Sequence, residues 1–292
     1  VHAPLLCHTT APYLKAGESD AAFSGELVHG AFLHWLKDAV PDVAAWLHDG
    51  NKRRIFTCSS LQSPSLAQSR LEAEGANMPL PLDPEKMYTV RITLLLGELL
   101  PLFHDALRRF HATEMGARKP HFMHIGKQLF ALEAVLAGSN DATGWTGSIS
   151  FATLVERAQK LNLGKVEPLT LEFASLTTFN RSNQRSRVYG GHFARLPLPQ
   201  YVFPGLVSRW QESAPSELAQ MVQVERVGRY IENEGVVISD YDLKPHQVRF
   251  TTHMQPGFVG RCTYDLRGPD EEEQATEESP LTARQQIWLL AQ

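Results

Sequence analysis

The order in which the hydrophobic period changes along this chain restricts its fold more than any other feature. His2 to Thr10 reads as a strand, and a loop rich in Gly, Ser and Asp leads into an amphipathic helix over Gly25 to Val40. Pro41 and Asp42 begin a short helix, Val43 to His48, after which Arg54 to Ser60 alternates apolar and polar residues as a half-buried strand does. Gln62 to Asp83, rich in Pro, Ser, Ala and Glu, predicts a loop or hairpin insertion, and Met87 to Leu95 the next strand. Leu99, Leu102, Phe103, Ala106, Leu107 and Phe110 recur at helical spacing over Leu99 to Ala112, and Phe122 to Leu136 supplies further strand.

Strand, helix, strand, strand, helix, strand is the order of a ferredoxin-like unit. It then begins again. Pro168 to Phe179 reads as a strand, and Pro199 to Gln211 and Glu217 to Arg229 read as helices. Gly235 to Ser239, Gln247 to His253 and Gly257 to Leu266 read as strands, and Leu281 opens a final helix. The expectation is an α+β chain of two tandem ferredoxin-like (RRM-like) domains. They cover residues 1–165 and 166–292, the second without its last strand.

A chain of 292 residues is long enough for two such cores. Its net charge of −4 argues against a generic polyanion binder, but Asp270 to Glu278 holds six acids and no base. Without that run and Arg284 the body stands at +1, so local basic patches can still meet nucleic acid. Cys7, Cys58 and Cys262 match neither a zinc spacing nor a disulfide framework, which points to a reducing cytoplasm. The longest apolar run, Ile92 to Phe103, is interrupted by Glu98 and too short to span a bilayer, so no membrane partner is expected.

Chemistry concentrates near the first helices. His29 and His34 lie on one helix, His48 ends the next, and Lys52, Arg53 and Arg54 follow an Asp-Gly-Asn turn. Imidazoles titrate near neutrality and fixed cations pair with phosphate oxygens, a combination suited to phosphodiester chemistry. Five residues separate His29 from His34, which sets them about 140° apart on a helix, so the two do not share one face. His48 has two readings, a proton-transfer group or a cation complementing a helix C-terminus. Asn180 to Arg187 likewise reads either as a solvated loop or, through Arg181, Arg185 and Arg187, as donors to RNA phosphates and base edges. His121 and His124 sit on opposite sides of a strand without a carboxylate, Tyr189-Gly190-Gly191-His192 reads as a turn, and no metal or cofactor motif is present.

Taken in order, these segments resemble the CRISPR repeat-processing endoribonucleases of the RAMP superfamily. In the first half the likeness rests on Leu27 to Leu36, on Pro41 to His48 with Ile55-Phe56-Thr57-Cys58-Ser59, and on Ile125 to Phe130. In the second it rests on Leu171 to Phe179, on Leu198-Pro199 with Val202-Phe203 and Leu206 to Trp210, and on Gln255 to Tyr264. The resemblance implies metal-free cleavage of CRISPR repeat RNA, held between the two domains, by the ribose 2′-hydroxyl upstream of the scissile phosphate. His48 matches the family's histidine, Arg54 or Lys52 its nearby cation, and His34 stands in for a tyrosine of the preceding helix. Arg53 and Lys127 join the three loop arginines as RNA contacts. The implied partners are repeat RNA, the guide RNA product and other CRISPR effector subunits. The family's Gly-rich loop and closing strand follow the final helix, where this chain stops at Gln292. Two alternatives stand beside cleavage: a non-cutting RNA-binding scaffold subunit, and a histidine-based metallohydrolase for which no ligand set has suitable spacing.

Overall fold

The computed structural model describes residues 3–10, 17–19, 25–48, 56–62, 80–82, 86–97, 99, 101–103, 121–136, 147–162, 167–180, 193–249, 254–267 and 280–292. The chain divides into two compact units, Val1–Ile149 and Ser150–Gln292.

In the first unit β1 (Ala3–Thr10), β2 (Gly17–Ser19), helix α1 (Gly25–Ala39), helix α2 (Pro41–His48), β3 (Phe56–Cys58), β4 (Leu80–Leu82), β5 (Tyr88–Leu94), β6 (His121–Ile125) and β7 (Gln128–Leu136) follow in order. Five strands form an antiparallel sheet in the order β3-β5-β1-β7-β6, and β2 pairs separately with β4. The expected strand over Phe122 to Leu136 is in fact a hairpin. It turns at Gly126 and Lys127 because Gly126 takes a φ of +64°, a conformation that costs glycine little. A Cβ on Gly126 would lie 3.0 Å from Leu27 Cδ1, so the same turn packs on the start of α1.

Period explains the packing. Along α1, Val28, Ala31, Phe32, Trp35 and Leu36 repeat at helical spacing and are buried, while Glu26, His34, Lys37 and Asp38 are exposed. Along β5, Tyr88, Val90, Ile92 and Leu94 are buried and Thr89, Arg91 and Thr93 only partly so. Phe32 gathers Phe56, Phe103 and Trp35 around it at centroid distances of 5.0, 5.3 and 6.1 Å. Full burial of each such side chain stabilises by about 1.5–3 kcal/mol before entropy is counted.

The second unit runs α3 (Phe151–Gln159), β8 (Leu169–Thr177), β9 (Phe179–Asn180), β10 (Phe193–Ala194), α4 (Pro199–Ser213), α5 (Ser216–Ala219), α6 (Val224–Glu232), β11 (Val236–Arg249), β12 (Met254–Leu266) and α7 (Ala283–Leu290). Its sheet is antiparallel in the order β11-β12-β8, with β9 and β10 paired apart. The boundary expected at 165/166 falls instead before Ser150. Ser150 caps α3 by accepting from Thr153 N, and Phe151 meets Trp210 of α4 edge-on at 5.1 Å, which ties the helix to the second unit.

Two further expectations change. Residues 240–246, rich in Asp, Lys and Pro, signal a break between two strands, yet β11 runs through them. Its long pairing with β12 overrides weak strand propensity, and Pro245 is tolerated because β11 is an edge strand. The helix expected over Glu217 to Arg229 is two, α5 and α6.

Candidate functional site

The site the sequence singles out begins where α1 and α2 end. His34 is on the solvent face of α1, its side chain 76% exposed, with Nε2 3.9 Å from Asp38 Oδ2 one helical turn on. An exposed pair of this kind holds only while the imidazole is protonated, and its strength is small. His29, five residues earlier, does turn elsewhere. Its ring stacks on Phe56 of β3 at 5.1 Å and 12°, which makes it part of the packing between α1 and the sheet.

His48 is the last residue of α2, whose Ala44 and Leu47 are buried against α1. The backbone therefore fixes where the histidine leaves the helix, while its side chain lies outside the described residues. Lys52, Arg53 and Arg54, and the basic strip expected of them, also lie outside, as do Arg181, Arg185 and Arg187. Lys127 is described and exposed, in the β6–β7 turn that packs on Leu27. Leu27 precedes His34 by seven residues, so the turn that carries Lys127 meets α1 about 10 Å along its axis from His34.

Two partly buried basic side chains, Arg91 and His246, escape sequence reading. Arg91 projects from β5 among Thr89 and Thr93, next to Ser59, whose Oγ accepts from the Arg91 amide at 2.8 Å. Partial burial holds its guanidinium below the usual arginine range. His246 of β11 is depressed below the ordinary histidine value, first by burial and then by the charge of Lys244. Alternation within a strand marks both faces, but no sequence signal distinguishes a cation that is partly desolvated from one that is not. Cys262 is buried and its thiol pushed up by burial, so it stays protonated and is no nucleophile.

Among the described residues no three His, Cys, Asp or Glu side chains gather as a metal site, and no helix is long and apolar enough to cross a membrane.

Residues 171–290 match the family model of the CRISPR-associated endoribonuclease Cas6. No curated protein matches in sequence. A solved Cas6 product complex superposes with a TM-score of 0.65 at 21% identity, covering 99% of this chain and 91% of that one. A second Cas6 product complex gives 0.59 at 20% identity, over 99% and 89%. Thermus thermophilus Cas6 gives 0.56 at 19%, over 99% and 90%. At such identities these structures show a shared fold, a mixed helix-and-strand architecture with small antiparallel sheets, along nearly the whole chain. The family match thus lies in the second unit, while the fold shared with these Cas6 structures extends along nearly the whole chain.

Proposed function

We propose that this chain is a metal-independent endoribonuclease that cleaves CRISPR repeat RNA and stays bound to the product hairpin. The match of residues 171–290 to the Cas6 family carries the reading, and the fold shared with Cas6 product complexes extends it to the first unit. The strand orders are compatible with tandem ferredoxin-like halves: β7-β1-β5-β3, with β6 added at the edge, and β8-β12-β11.

In the proposed reaction the ribose 2′-hydroxyl loses its proton and attacks the adjacent phosphorus in line, and the bond from phosphorus to the 5′-oxygen breaks. The leaving oxygen takes up a proton, giving a 2′,3′-cyclic phosphate and a 5′-hydroxyl. His48 serves as general acid or base. Arg54 or Lys52 balances charge on the pentavalent phosphorus, a stabilisation that needs no metal. His34, exposed at the helix surface, is the second proton carrier. Arg53, Arg181, Arg185, Arg187 and Lys127 contact RNA, and the cytoplasmic product complex joins other CRISPR effector subunits.

The test is incubation with repeat RNA in excess chelator, with the ends of the products identified. Cleavage to a cyclic phosphate and a 5′-hydroxyl is expected. Tight binding without a cut makes the chain a scaffold subunit, and cleavage only when metal is restored removes the mechanism.

A further inference from the structure

Phe179 and Asn180 of β9 pair with Ala194 and Phe193 of β10, so residues 181–192 begin and end on a two-residue stem. That stem is anchored by a row of rings. Phe258 of β12 is 1% exposed and meets Phe173 of β8 edge-on at 5.1 Å. Phe179 follows at 6.2 Å from Phe258, tilted by 36°, and Tyr201 in the first turn of α4 lies 6.2 Å from Phe179, only 27° from parallel. The row climbs from the core to the surface, because Phe179 and Tyr201 are only partly buried while Phe258 is sealed. Arg195 comes directly after Ala194, the strand partner of Phe179, and is exposed.

We propose that Phe179 and Tyr201 form a stacking platform for one unpaired base of the bound RNA, with Arg195 on an adjoining phosphate. The proposal rests on the repeat-RNA reading above and adds to it a subsite in the second unit. Phe258 is sealed at this point, whereas the outer two rings keep part of their surface in water. Their nearly parallel faces suit a flat partner. A nucleobase is such a partner, and stacking on aromatic rings is a general means of holding single-stranded RNA. Charge favours RNA over an apolar peptide. Arg195 stands beside the rings, and the sequence leaving the stem carries Arg181, Arg185 and Arg187.

The experiment places 2-aminopurine in turn at each unpaired nucleotide of the repeat RNA and follows its fluorescence on binding the full chain. At one position the emission should be quenched several-fold. Phe179→Leu and Tyr201→Leu keep apolar bulk, and each should restore that emission and weaken binding by about fivefold to a hundredfold. The salt dependence should be unchanged, because stacking releases no counterions. Arg195→Gln should lower the salt slope by about one unit while the quenching persists. If the repeat binds but no position is quenched, or if the quenching survives both leucine variants, the platform is refuted and the nuclease reading stands. If repeat RNA does not bind at all, both fall.

Discussion

Helices α1 and α7 solve the same problem by opposite means. α1 hides Val28, Ala31, Phe32, Trp35 and Leu36 and leaves Glu26, His34, Lys37 and Asp38 in water. α7 has no outer face over its first turns: Ala283, Arg284, Gln285, Gln286 and Ile287 are all buried. Its two glutamines are held by defined partners. Thr282 and Gln285 form a capping box, and the Gln285 amide also reaches Gln159 O at 3.4 Å. Gln286 accepts from Gln223 N at 2.9 Å and donates to Leu281 O at 3.0 Å, the carbonyl that Arg226 also binds. In the first unit α1 is held mainly by apolar area, which tolerates exchange of one hydrophobe for another. In the second, hydrogen bonds fix one position for α7, and removing a partner leaves a buried group unsatisfied.

The largest expected effect separates chemistry from stability. His48→Ala should reduce the single-turnover cleavage rate by about two to four orders of magnitude, with repeat affinity and unfolding midpoint little changed, and His34→Ala should reduce it less. Near-normal cleavage by His48→Ala, with inactivity of His29→Ala or His34→Ala, would move the site onto α1. Next comes Phe32→Ala, which opens a cavity among the rings of Trp35, Phe56 and Phe103. It should lower the stability of the first unit by about 3–5 kcal/mol in denaturant unfolding.

Gln286→Leu sharpens the contrast. It keeps volume but removes the side-chain acceptor of Gln223 N–H and one of the two side-chain donors to Leu281 O, and should destabilise the second unit by about 1–3 kcal/mol. A neutral outcome would mean that α7 is held by apolar packing as α1 is. Replacing Arg181, Arg185 and Arg187 together by alanine should weaken repeat binding. It should also flatten the salt dependence by about one unit of slope for each phosphate no longer neutralised. An unchanged slope would make that segment a bystander.

How far the sequence can be read follows the same divide. The elements of the first unit are legible because one face of α1 and one face of β5 carry the apolar residues, and a two- or 3.6-residue period records that directly. β6 and β7 merge into one expected strand because the Gly126-Lys127 turn is short and flanked by apolar residues on both sides. β11 reads as two strands because Asp240, Asp242 and Pro245 signal turns. Only its partner β12, against which the register shifts between Ile238 and Asp240, makes the extended path favourable. The burial of Gln286 and Arg226 leaves no periodic trace, since their partners lie 63 and 55 residues away. At the candidate site the sequence supplies residue types and the helix that ends on His48. It does not say that His34 sits exposed with Asp38, because that depends on which side of α1 the sheet covers.

The smallest expected effect concerns His246, which faces Gly257 across the β11–β12 ladder. Burial and then Lys244 depress its imidazole in the folded chain, whereas the unfolded chain leaves it at the ordinary value near 6.5. Below that value the unfolded state binds the proton more readily than the folded one. Stability should therefore fall as pH drops through about 6.5 and be fully regained above it. Proton NMR of the His246 ring should show a titration midpoint below the ordinary histidine value near 6.5. Lys244→Ala should move the midpoint upward without restoring it fully, because burial is the larger cause. A midpoint at the ordinary value would mean that the partly buried position of His246 on the edge strand β11 is open to water in solution. The hairpin would then be looser than its thirteen-residue β12 strand implies.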